Sequence, residues 1–366
     1  MENTYALISL ENLKHNYNEI KKAVGNTQMA CVVKADAYGH GDKVVASYLE
    51  KLGASFFCVA CINEALSLRE AGVKGEILIL GYTPCEEVRS LWENNISQAV
   101  YSAEYAKELS ENAEKEGVSI KSHLVIDTGM GRIGFCEEPS FIADAVKLPG
   151  LNVEGVFTHY SSADMFDDDS VAYTEGQENL FRERVKALQD MGISFKYIHS
   201  CNSAASLKKQ NDFTNLCRVG IILYGLKPSD DEYDIDLKPV MSLRSVVSMV
   251  KNLPSGKCVS YGREYITTKD TTVATVAVGY ADGYRRALRN AEVIINSVRC
   301  PIIGRICMDQ IMVDVTEAEN AKMGDEVVLI GEGITAEELA EIGSTNNYEI
   351  VCNVSKRVGR HYTPEK

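Results

Sequence analysis

The chain has 366 residues and a net charge of −14 at pH 7, with 45% hydrophobic and 25% charged residues. This composition is typical of a folded protein, and the length predicts two domains, with a barrel of about 200–250 residues counting as one. The negative charge argues against nucleic acid or an anionic membrane as a partner, because both would repel it. No apolar run approaches the ~20 residues of a membrane helix, and no signal pattern opens the chain. We therefore expect no membrane segment and a cytoplasmic location.

The eleven cysteines are scattered along the chain, mostly in apolar runs. Their odd number and apolar surroundings predict buried free thiols in a reducing compartment. Cys58 and Cys61 form one C-x-x-C pair, but a zinc site usually needs a second pair. No metal site is predicted.

Short strand-like runs alternate with helical patterns between residues 29 and 225. The runs are "MACVVKA", "SFFCVA", "EILILG", "ISQAVY", "SHLVID", "NVEGVFTH", "FKYIHS" and "CRVGIILYG". Helical stretches such as "INEALSLREAG" lie between them, and several end in glycine, a helix-stop signal. This alternation predicts a parallel (β/α)8 barrel, with a doubly wound open sheet as the alternative.

The pattern changes after about residue 230. The acidic stretch "SDDEYDID" (229–236) predicts a linker. Strand-like pieces such as "TTVATVAVGYADG", "EVIINSV" and "QIMVDVT" follow, with few helical patterns. We therefore predict a barrel over residues 1–231 and a smaller, mainly β domain over 232–366. The run "TYALISL" (4–10) fits either domain.

Reactive side chains follow several of the predicted barrel strands. They are Lys34 after the first strand, Arg132 after the fifth, His159 at the sixth, His199, Asn202 and Ser203 at the seventh, and Arg218, Gly220 and Ile221 at the eighth. The carboxyl ends of barrel strands share one face, where barrel enzymes carry their chemistry. Each residue alone fits an ordinary structural role, so the prediction depends on the joint pattern. A lysine after an apolar run is notable because desolvation lowers its pKa from ~10.4 and makes the amine a nucleophile.

One motif points elsewhere. The run "GMGRIG" (129–134) fits the dinucleotide-binding pattern G-x-G-x-x-G. It follows the fifth strand rather than the first, however, and "EEPSF" after it opens no good helix. The nucleotide interpretation is therefore disfavoured.

Eight longer runs together resemble the alanine racemase family over nearly the whole chain. In order they are "VVKADAYGHG", "DTGMGRIGF", "VFTHYSSAD", "CNSAA", "RVGIILYGL", "VSYGREY", "VGYADGYRR" and "GRICMDQIMVD". The resemblance implies a pyridoxal-phosphate enzyme, with a barrel and a β domain, that racemises a small amino acid. Alanine is the expected substrate, and serine or a broader set is the alternative.

The resemblance also assigns the cofactor residues. Lys34 would hold pyridoxal phosphate through its amine and act as a base on one face of the substrate. The other implied cofactor ligands are Tyr38, Ser203, Gly220 and Ile221 at the phosphate, Asn202, Arg218 at the pyridine nitrogen, His159 beside the ring, and Arg132 near the phenolic oxygen and the substrate. An arginine would keep the pyridine nitrogen unprotonated, since its own pKa is above ~12.

A racemase needs a second base on the opposite face. The resemblance implies Tyr261 for this role, with His199 as its activating partner. Tyr261 would act from the β domain of a second subunit, so a homodimer with shared sites is expected. Met308 of the same subunit would bind the substrate carboxylate through its backbone N–H. The remaining implied residues, Tyr280 and Arg305, would line the access passage.

Two positions depart from the family pattern. Val125 stands where the family usually has a carbamylated lysine that holds the arginine corresponding to Arg132, so Arg132 needs another anchor, chloride or water. Lys356, which is also counted among the cofactor-binding residues, stands where the family has a tyrosine that touches the phosphate and narrows the pocket. Both changes bear on substrate choice. A non-catalytic pyridoxal-phosphate carrier and a decarboxylase on a similar barrel are further alternatives, which the β domain and the "VSYG" tyrosine disfavour.

Overall fold

The computed structural model describes residues 3–208, 212–229 and 233–364. The chain divides into two compact units, which we call the barrel unit (Lys14–Ala37 and Asp42–Leu237) and the β unit (Met1–Leu13, Tyr38–Gly41 and Lys238–Lys366). The predicted boundary between residues 231 and 232 lies outside the described residues, so it stays a prediction. The two units cannot be separated at one point in the sequence, because two short segments near the N-terminus belong to the same unit as the C-terminal residues. Among the described helices, none is both long and apolar enough to cross a membrane.

The chain opens with strand β1 (Tyr5–Ser9) and helix α1 (Leu10–Val24). The hydroxyl of Ser9 accepts a hydrogen bond from the Asn12 N–H at 3.1 Å, which caps the first turn of α1. Gly25, at φ 61°, follows the last residue of the helix, as is common where a chain leaves a helix.

Eight parallel strands form the sheet of the barrel unit. They are β2 (Gln28–Val32), β3 (Phe56–Val59), β4 (Glu76–Ile79), β5 (Ile96–Val100), β6 (Ile120–Val125), β7 (Leu151–Phe157), β8 (Tyr197–His199) and β9 (Leu216–Val219). Strands β2 to β8 pair in chain order, and β9 pairs with β2. At the remaining seam, the Asn215 N–H donates to the Ile198 carbonyl at 3.0 Å and the Arg218 N–H to the Cys201 carbonyl at 2.9 Å. These bonds join β9 to β8, so the predicted barrel is confirmed and the open sheet is not formed.

Helices connect the barrel strands. They are α2 (Lys34–Gly39), α3 (Asp42–Lys51), α4 (Ile62–Glu70), α5 (Val88–Glu93), α6 (Ala103–Glu116), α7 (Pro139–Val146), α8 (Asp168–Asp190) and α9 (Ser203–Lys208), with 3-10 turns at Cys85–Glu87 and Ile221–Tyr224. Strands such as β3 and β5 are buried at every residue. This is expected of parallel strands that are covered on both faces.

The β unit contains the remaining strands and two short helices. They are β10 (Met241–Leu253), β11 (Cys258–Val259), β12 (Tyr265–Ile266), β13 (Thr271–Val276), β14 (Glu292–Ile295), β15 (Val298–Pro301), β16 (Ile311–Asp314), β17 (Glu326–Ile330), β18 (Gly359–Thr363), α10 (Ala336–Ile342) and α11 (Asn347–Cys352). The 3-10 turns are Tyr261–Arg263, Tyr280–Asp282 and Arg286–Asn290. The predicted mainly β composition is confirmed.

The long strand β10 organises the β unit. It pairs antiparallel with β1, β13 and β17, and its register with β13 shifts between Val247 and Met249. Such a bulge bends a strand. The first strand, β1, lies between β10 and β18 and pairs parallel with the latter. The run "TYALISL", which fitted either domain, therefore belongs to the β unit.

Candidate active site

Lys34 begins a left-handed helical turn directly after the buried residues Val32 and Val33. The next four residues, Ala35 to Tyr38, all have positive φ values between 52° and 56°. Each such residue costs roughly 1–2 kcal/mol relative to the right-handed conformation. A turn of this kind persists only where its surroundings hold it, so the direction in which Lys34 leaves the chain is set by tertiary contacts.

A buried chain of three side chains crosses the barrel unit. Arg218, which is 4% exposed, donates from Nη1 to Nδ1 of His199 at 2.9 Å. The other nitrogen of His199, Nε2, lies 2.9 Å from Nδ1 of His123. An arginine can only donate hydrogen bonds, so Nδ1 of His199 must accept. The proton of neutral His199 is therefore on Nε2, and His123 carries its own proton on Nε2.

Main-chain oxygens fix the rest of the Arg218 guanidinium. Its Nη2 donates to the carbonyls of Thr158 at 2.8 Å and Ser200 at 3.0 Å, and to Nδ1 of His159 at 3.3 Å. Within the described ranges no carboxylate pairs with Arg218. Burial lowers the pKa of its guanidinium. The side chain thus presents a positive charge that the protein itself leaves unneutralised.

Three cationic side chains act on His159. Burial, followed by the positive charges of Arg218, Arg132 and Lys34, lowers the pKa of His159 to about 3. Burial likewise raises the pKa of Cys58 to about 12, against the opposing charges of Arg218 and Lys34. The barrel unit therefore gathers cations around a neutral imidazole, an arrangement that favours an anionic ligand.

The contacts of the two site histidines bear on the predicted partner of Tyr261. His199 is fully buried, and both of its ring nitrogens are occupied by Arg218 and His123. Neither nitrogen is available to Tyr261 in this arrangement, which favours another partner for the tyrosine. His159 accepts from Arg218 at Nδ1, which places its proton on Nε2. In the described residues that Nε2 forms no hydrogen bond.

Four predicted cofactor ligands lie together at the ends of β8 and β9. The Ser203 hydroxyl accepts from the Gly220 N–H at 2.9 Å. Oδ1 of Asn202 accepts from the Ala205 N–H at 3.0 Å and so caps α9. Ile221 begins the 3-10 turn that follows Gly220. Barrel enzymes frequently bind phosphate after their seventh and eighth strands.

The loop that carries Arg132 is ordered by an aspartate. The carboxylate of Asp127 accepts from the N–H groups of Gly129 and Met130, both at 2.9 Å, and of Gly131 at 3.0 and 3.1 Å. Val125, at the end of β6, is buried and offers no polar side-chain atom. Arg132 is exposed and has no hydrogen bond or ion pair among the residues described. No described side chain replaces the family's lysine as its anchor.

The other predicted residues belong to the β unit. The Tyr280 N–H donates to the Cys307 carbonyl at 3.1 Å, and the Ala281 N–H donates to the Met308 carbonyl at 3.0 Å. The hydroxyl of Ser260, beside Tyr261, donates to the Arg305 carbonyl at 2.6 Å. The structure thus brings together the loops of four predicted residues, Tyr261, Tyr280, Arg305 and Met308.

These loops expose large side chains. The side chain of Tyr261 is 68% exposed, and Met308 and Tyr280 are exposed as well. Arg305 forms an ion pair with Glu264. Grouped apolar side chains at a surface mark an interaction or ligand site, so this face of the β unit is suited to meeting another molecule.

Lys356 and Tyr38 are also held within the β unit. Arg357, next to Lys356, donates to the carboxylates of Asp282 at 2.7 Å and Asp309 at 2.8 Å. The Tyr38 ring lies 6.1 Å from the Tyr348 ring, centroid to centroid. Lys356 itself is exposed and forms no hydrogen bond in the described part of the chain.

Several contributors to this site were not predicted. Asp282 and Arg357 lie inside the runs "VGYADGYRR" and "SKRVGR". A charged residue within such a run could have been used to predict that it contributes to the site. His123 could have been found from "SHLVID", where a histidine interrupts an apolar strand. Glu64 lies in helix α4, and its sequence context gave no signal.

Comparisons with known proteins show similarity over nearly the full chain. The family model "Alanine racemase, N-terminal domain" matches residues 8–228, and "Alanine racemase, C-terminal domain" matches residues 240–362. An alanine racemase from Clostridium tetani is 43% identical over 369 residues, covering 98% of this chain and 95% of that protein.

Solved structures are similar to the same extent. The alanine racemase from Clostridium difficile has a TM-score of 0.93 at 40% identity, covering 99% of this chain and 96% of that one. The alanine racemase from Bacillus anthracis, solved with bound L-Ala-P, has a TM-score of 0.94 at 35% identity and covers 100% of this chain and 96% of its own.

Proposed function

Because this chain belongs to the alanine racemase family, and is thus an isomerase, we propose that it interconverts L- and D-alanine using pyridoxal phosphate, with Lys34 and Tyr261 as the two bases. One observation carries the proposal. Arg218 is buried, donates to Nδ1 of His159 at 3.3 Å, and pairs with no carboxylate among the described residues. A ligand with anionic groups completes such a site.

The residues present fit pyridoxal phosphate. Its phosphate would be held by Tyr38, Ser203, Gly220 and Ile221, with Asn202 fixing the start of α9 beside them. The amine of Lys34 suits its carbonyl carbon, because an amine at a buried strand end is a nucleophile for carbonyls. When bound, the cofactor supplies an electron sink that acidifies the Cα–H of an amino acid.

Arg218 would control how strongly that sink draws electrons. Its guanidinium only donates, so it would hold a pyridine nitrogen that accepts and stays unprotonated. The neighbours of Arg218 cannot supply a proton either, since His199 is neutral and its pKa lies well below the usual value because of burial. A weaker sink favours return of the proton to Cα over other bond cleavages.

The two bases would act on opposite faces of the substrate. Lys34 takes or returns a proton on one face, and Tyr261 of a partner subunit does so on the other. His159 replaces His199 as the proposed partner of Tyr261, because its Nε2–H can donate to the tyrosine oxygen. Donation to the tyrosine oxygen stabilises the phenolate, which is the form of the side chain that can accept a proton.

The surface of the β unit supports the proposed homodimer. Tyr261 and Met308 are exposed in the single chain, as residues that complete a neighbour's site must be. Met308 would then bind the substrate carboxylate through its backbone N–H, while Tyr280 and Arg305 line the access passage. A pyridoxal-phosphate carrier needs no second base, so these loops also argue against that alternative.

Serine is the second candidate substrate. The observation that favours it is Lys356, which is exposed and makes no hydrogen bond within the described residues. It can therefore turn toward a substrate hydroxyl.

The location proposed from the sequence, the cytoplasm, is supported by the eleven free cysteines, since thiols persist in a reducing compartment.

A panel of L-amino acids followed by chiral chromatography tests the function. We expect D-alanine from L-alanine, and the reverse reaction, in the wild-type enzyme supplied with pyridoxal phosphate. Lys34→Ala should lower kcat by at least about 10³-fold, because it removes both the covalent attachment and one base. Wild-type enzyme that racemises neither alanine nor serine, or a Lys34→Ala variant of unchanged activity, would contradict the proposal.

A further inference from the structure

The left-handed turn that carries Lys34 needs restraints from outside itself. Two are local: the Ala37 N–H donates to the Val33 carbonyl at 2.9 Å, and Oδ1 of Asp36 accepts from the Asp42 N–H at 3.0 Å. Neither bond involves the peptide group between Lys34 and Ala35. That peptide group helps to set the direction of the Lys34 side chain, because its orientation fixes the backbone at the Cα of Lys34.

Glu64 restrains this peptide group. Its Oε1 accepts from the Ala35 N–H at 2.7 Å, and its Oε2 accepts from the Ala60 N–H at 2.7 Å. Ala60 follows β3, and Ala35 follows β2, and these two strands pair side by side. One carboxylate therefore ties together the carboxyl ends of two neighbouring barrel strands.

A carboxylate of this length reaches both donors. A backbone N–H can only donate, so each carboxylate oxygen serves one N–H. A glutamine would offer one oxygen, while its NH₂ group would face the second N–H. Glu64 forms no ion pair in the described chain, so its charge serves the main chain alone, through charge-assisted hydrogen bonds.

One of the two bonds has an ordinary explanation. Cys61 is the N-cap of α4 and makes no side-chain cap bond. A glutamate at the third helical position often reaches back to the main chain before the helix, and the bond to Ala60 resembles this role. The bond to Ala35 does not, because Ala35 lies outside α4.

We propose that Glu64 is a positioning residue for Lys34. By fixing the peptide group after Lys34, Glu64 directs the Lys34 amine toward the position at which it would attach the cofactor and exchange a proton with the substrate. The inference rests on the proposed function, since it gives Lys34 its purpose. Misplacement of a reacting group by about 1 Å can lower a rate by ~10²-fold.

Three variants separate positioning from helix capping. Glu64→Gln loses one acceptor, and Glu64→Asp keeps the charge but is one methylene too short for both N–H groups. Glu70→Gln is the matched control, because Glu70 lies on the same helix and its carboxylate only forms an exposed ion pair with Lys43 at 3.1 Å. All three are prepared as the cofactor-loaded enzyme.

Four measurements are compared with wild type: hydrogen exchange of the Ala35 and Ala60 amides, visible circular dichroism of the bound cofactor, kcat and KM for L-alanine, and the thermal midpoint. For both Glu64 variants we expect faster exchange at Ala35, a changed visible dichroism, and a kcat lowered at least about tenfold with KM changed far less. Glu70→Gln should match wild type in all four.

A purely structural role predicts a different result. The thermal midpoint would fall and exchange would quicken, while the visible dichroism and the kcat of the folded enzyme stay at wild-type values. That result overturns the inference, as does failure of both Glu64 variants to fold. Borohydride reduction of the wild type tests the proposed function separately: no cofactor label on the Lys34 peptide overturns both, whereas label together with a wild-type kcat in Glu64→Gln overturns this inference alone.

Discussion

Arg218 fixes the protonation of two histidines because it can only donate hydrogen bonds. The chain from its Nη1 through His199 to His123 leaves one arrangement of protons, with each histidine neutral and protonated on Nε2. Burial, then the charges of Arg218 and Lys196, lowers the pKa of His123 to about 3. A protonated histidine in this hydrogen-bonded series would be repelled by the positive charge of Arg218, so the folded protein favours the neutral histidines.

The lowered pKa of His123 has a definite effect on stability. An unfolded histidine titrates near ~6.5, so below that pH the unfolded chain binds a proton that the folded chain refuses. Above pH ~6.5, His123 does not lower the free energy of unfolding. Below that pH it lowers the free energy of unfolding by about 1.4 kcal/mol for each pH unit, until the folded pKa near 3 is reached. His159 acts in the same direction.

We therefore predict that lowering the pH from 7 to 5 reduces the free energy of unfolding by about 2 kcal/mol through His123 alone. Thermal unfolding across this range should show a falling midpoint. Nitrogen NMR of 15N-histidine, assigned with single His→Gln variants, should show His123 and His199 neutral and protonated on Nε2 at both pH values. A His123 signal that titrates near pH 6.5 would refute the argument.

Lys356 is the residue at which substrate choice can be changed. A tyrosine has two free torsions and a rigid ring, whereas lysine has four torsions and an ammonium with three donors. A pocket that hydrogen-bonds a hydroxyl can favour serine strongly, while extra room alone gives only about ten- to a hundredfold tolerance. The exposed position of Lys356 leaves its ammonium able to move.

We predict that Lys356→Tyr lowers kcat/KM for serine more than kcat/KM for alanine. Lys356→Met is the matched control, because it keeps a flexible side chain of similar reach without the donors. It should lose the hydroxyl preference while still admitting serine. If Lys356→Tyr leaves the serine-to-alanine ratio unchanged and weakens cofactor retention for both substrates, Lys356 serves the phosphate and the specificity argument is wrong.

At the scale of elements, buried parallel strands were predictable and the turn at Lys34 was not. The run "MACVVKA" contains most of β2, which ends at Val32, because strands covered on both faces are continuously apolar. The six residues "KADAYG" contain glycine only at the end, and local preference favours a right-handed turn. The left-handed turn follows from contacts with residues such as Glu64, which lie far away in the sequence.

The glycines of "YGHG" show the same dependence on distant contacts. A Cβ at Gly39 would lie 2.4 Å from the Val351 carbonyl oxygen, and a Cβ at Gly41 would lie 1.9 Å from the Tyr362 hydroxyl oxygen. Both glycines also have positive φ values. The motif could be recognised from the sequence, but the reason for its glycines is the close approach of the C-terminal chain.

The site residues were located by strand ends, yet their partners were not. Spacing placed His199 at the end of a barrel strand, and β8 does end there. Spacing does not predict that both ring nitrogens of His199 are occupied, because its hydrogen-bond partners lie on other strands of the barrel. For this reason we propose His159 rather than His199 as the partner of Tyr261, and the pair of His159 and Arg218 emerged only from side-chain geometry.

At the scale of the molecule, the two proposed bases belong to different units. Lys34 belongs to the barrel unit, and the segment Tyr38–Gly41 just after it belongs to the β unit, together with Tyr261 and Met308. Two bases on opposite faces of one substrate cannot replace each other, so each must be present for racemisation. The exposure of Tyr261 leads us to place the second base of each site on the other subunit.

Subunits with complementary defects test this arrangement. Lys34→Ala and Tyr261→Phe are each expected to be inactive as homodimers, and Tyr261→Phe should retain the cofactor because it leaves the barrel residues unchanged. In a heterodimer of the two, one shared site combines the intact Lys34 of one chain with the intact Tyr261 of the other, and the second site has neither residue. A shared site therefore predicts about half of the wild-type kcat per dimer, as expected for one intact site of two related by twofold symmetry.

The measurement uses two different affinity tags and sequential purification, so that only heterodimers are assayed for D-alanine formation. A heterodimer of Lys34→Ala with the wild-type chain is the control, since it also keeps one intact site and should match the complementing pair. Inactivity of the verified Lys34→Ala/Tyr261→Phe heterodimer, beside an active control, would place Tyr261 in the same chain as its Lys34. The racemase proposal would survive that result, but the requirement for a partner subunit would not.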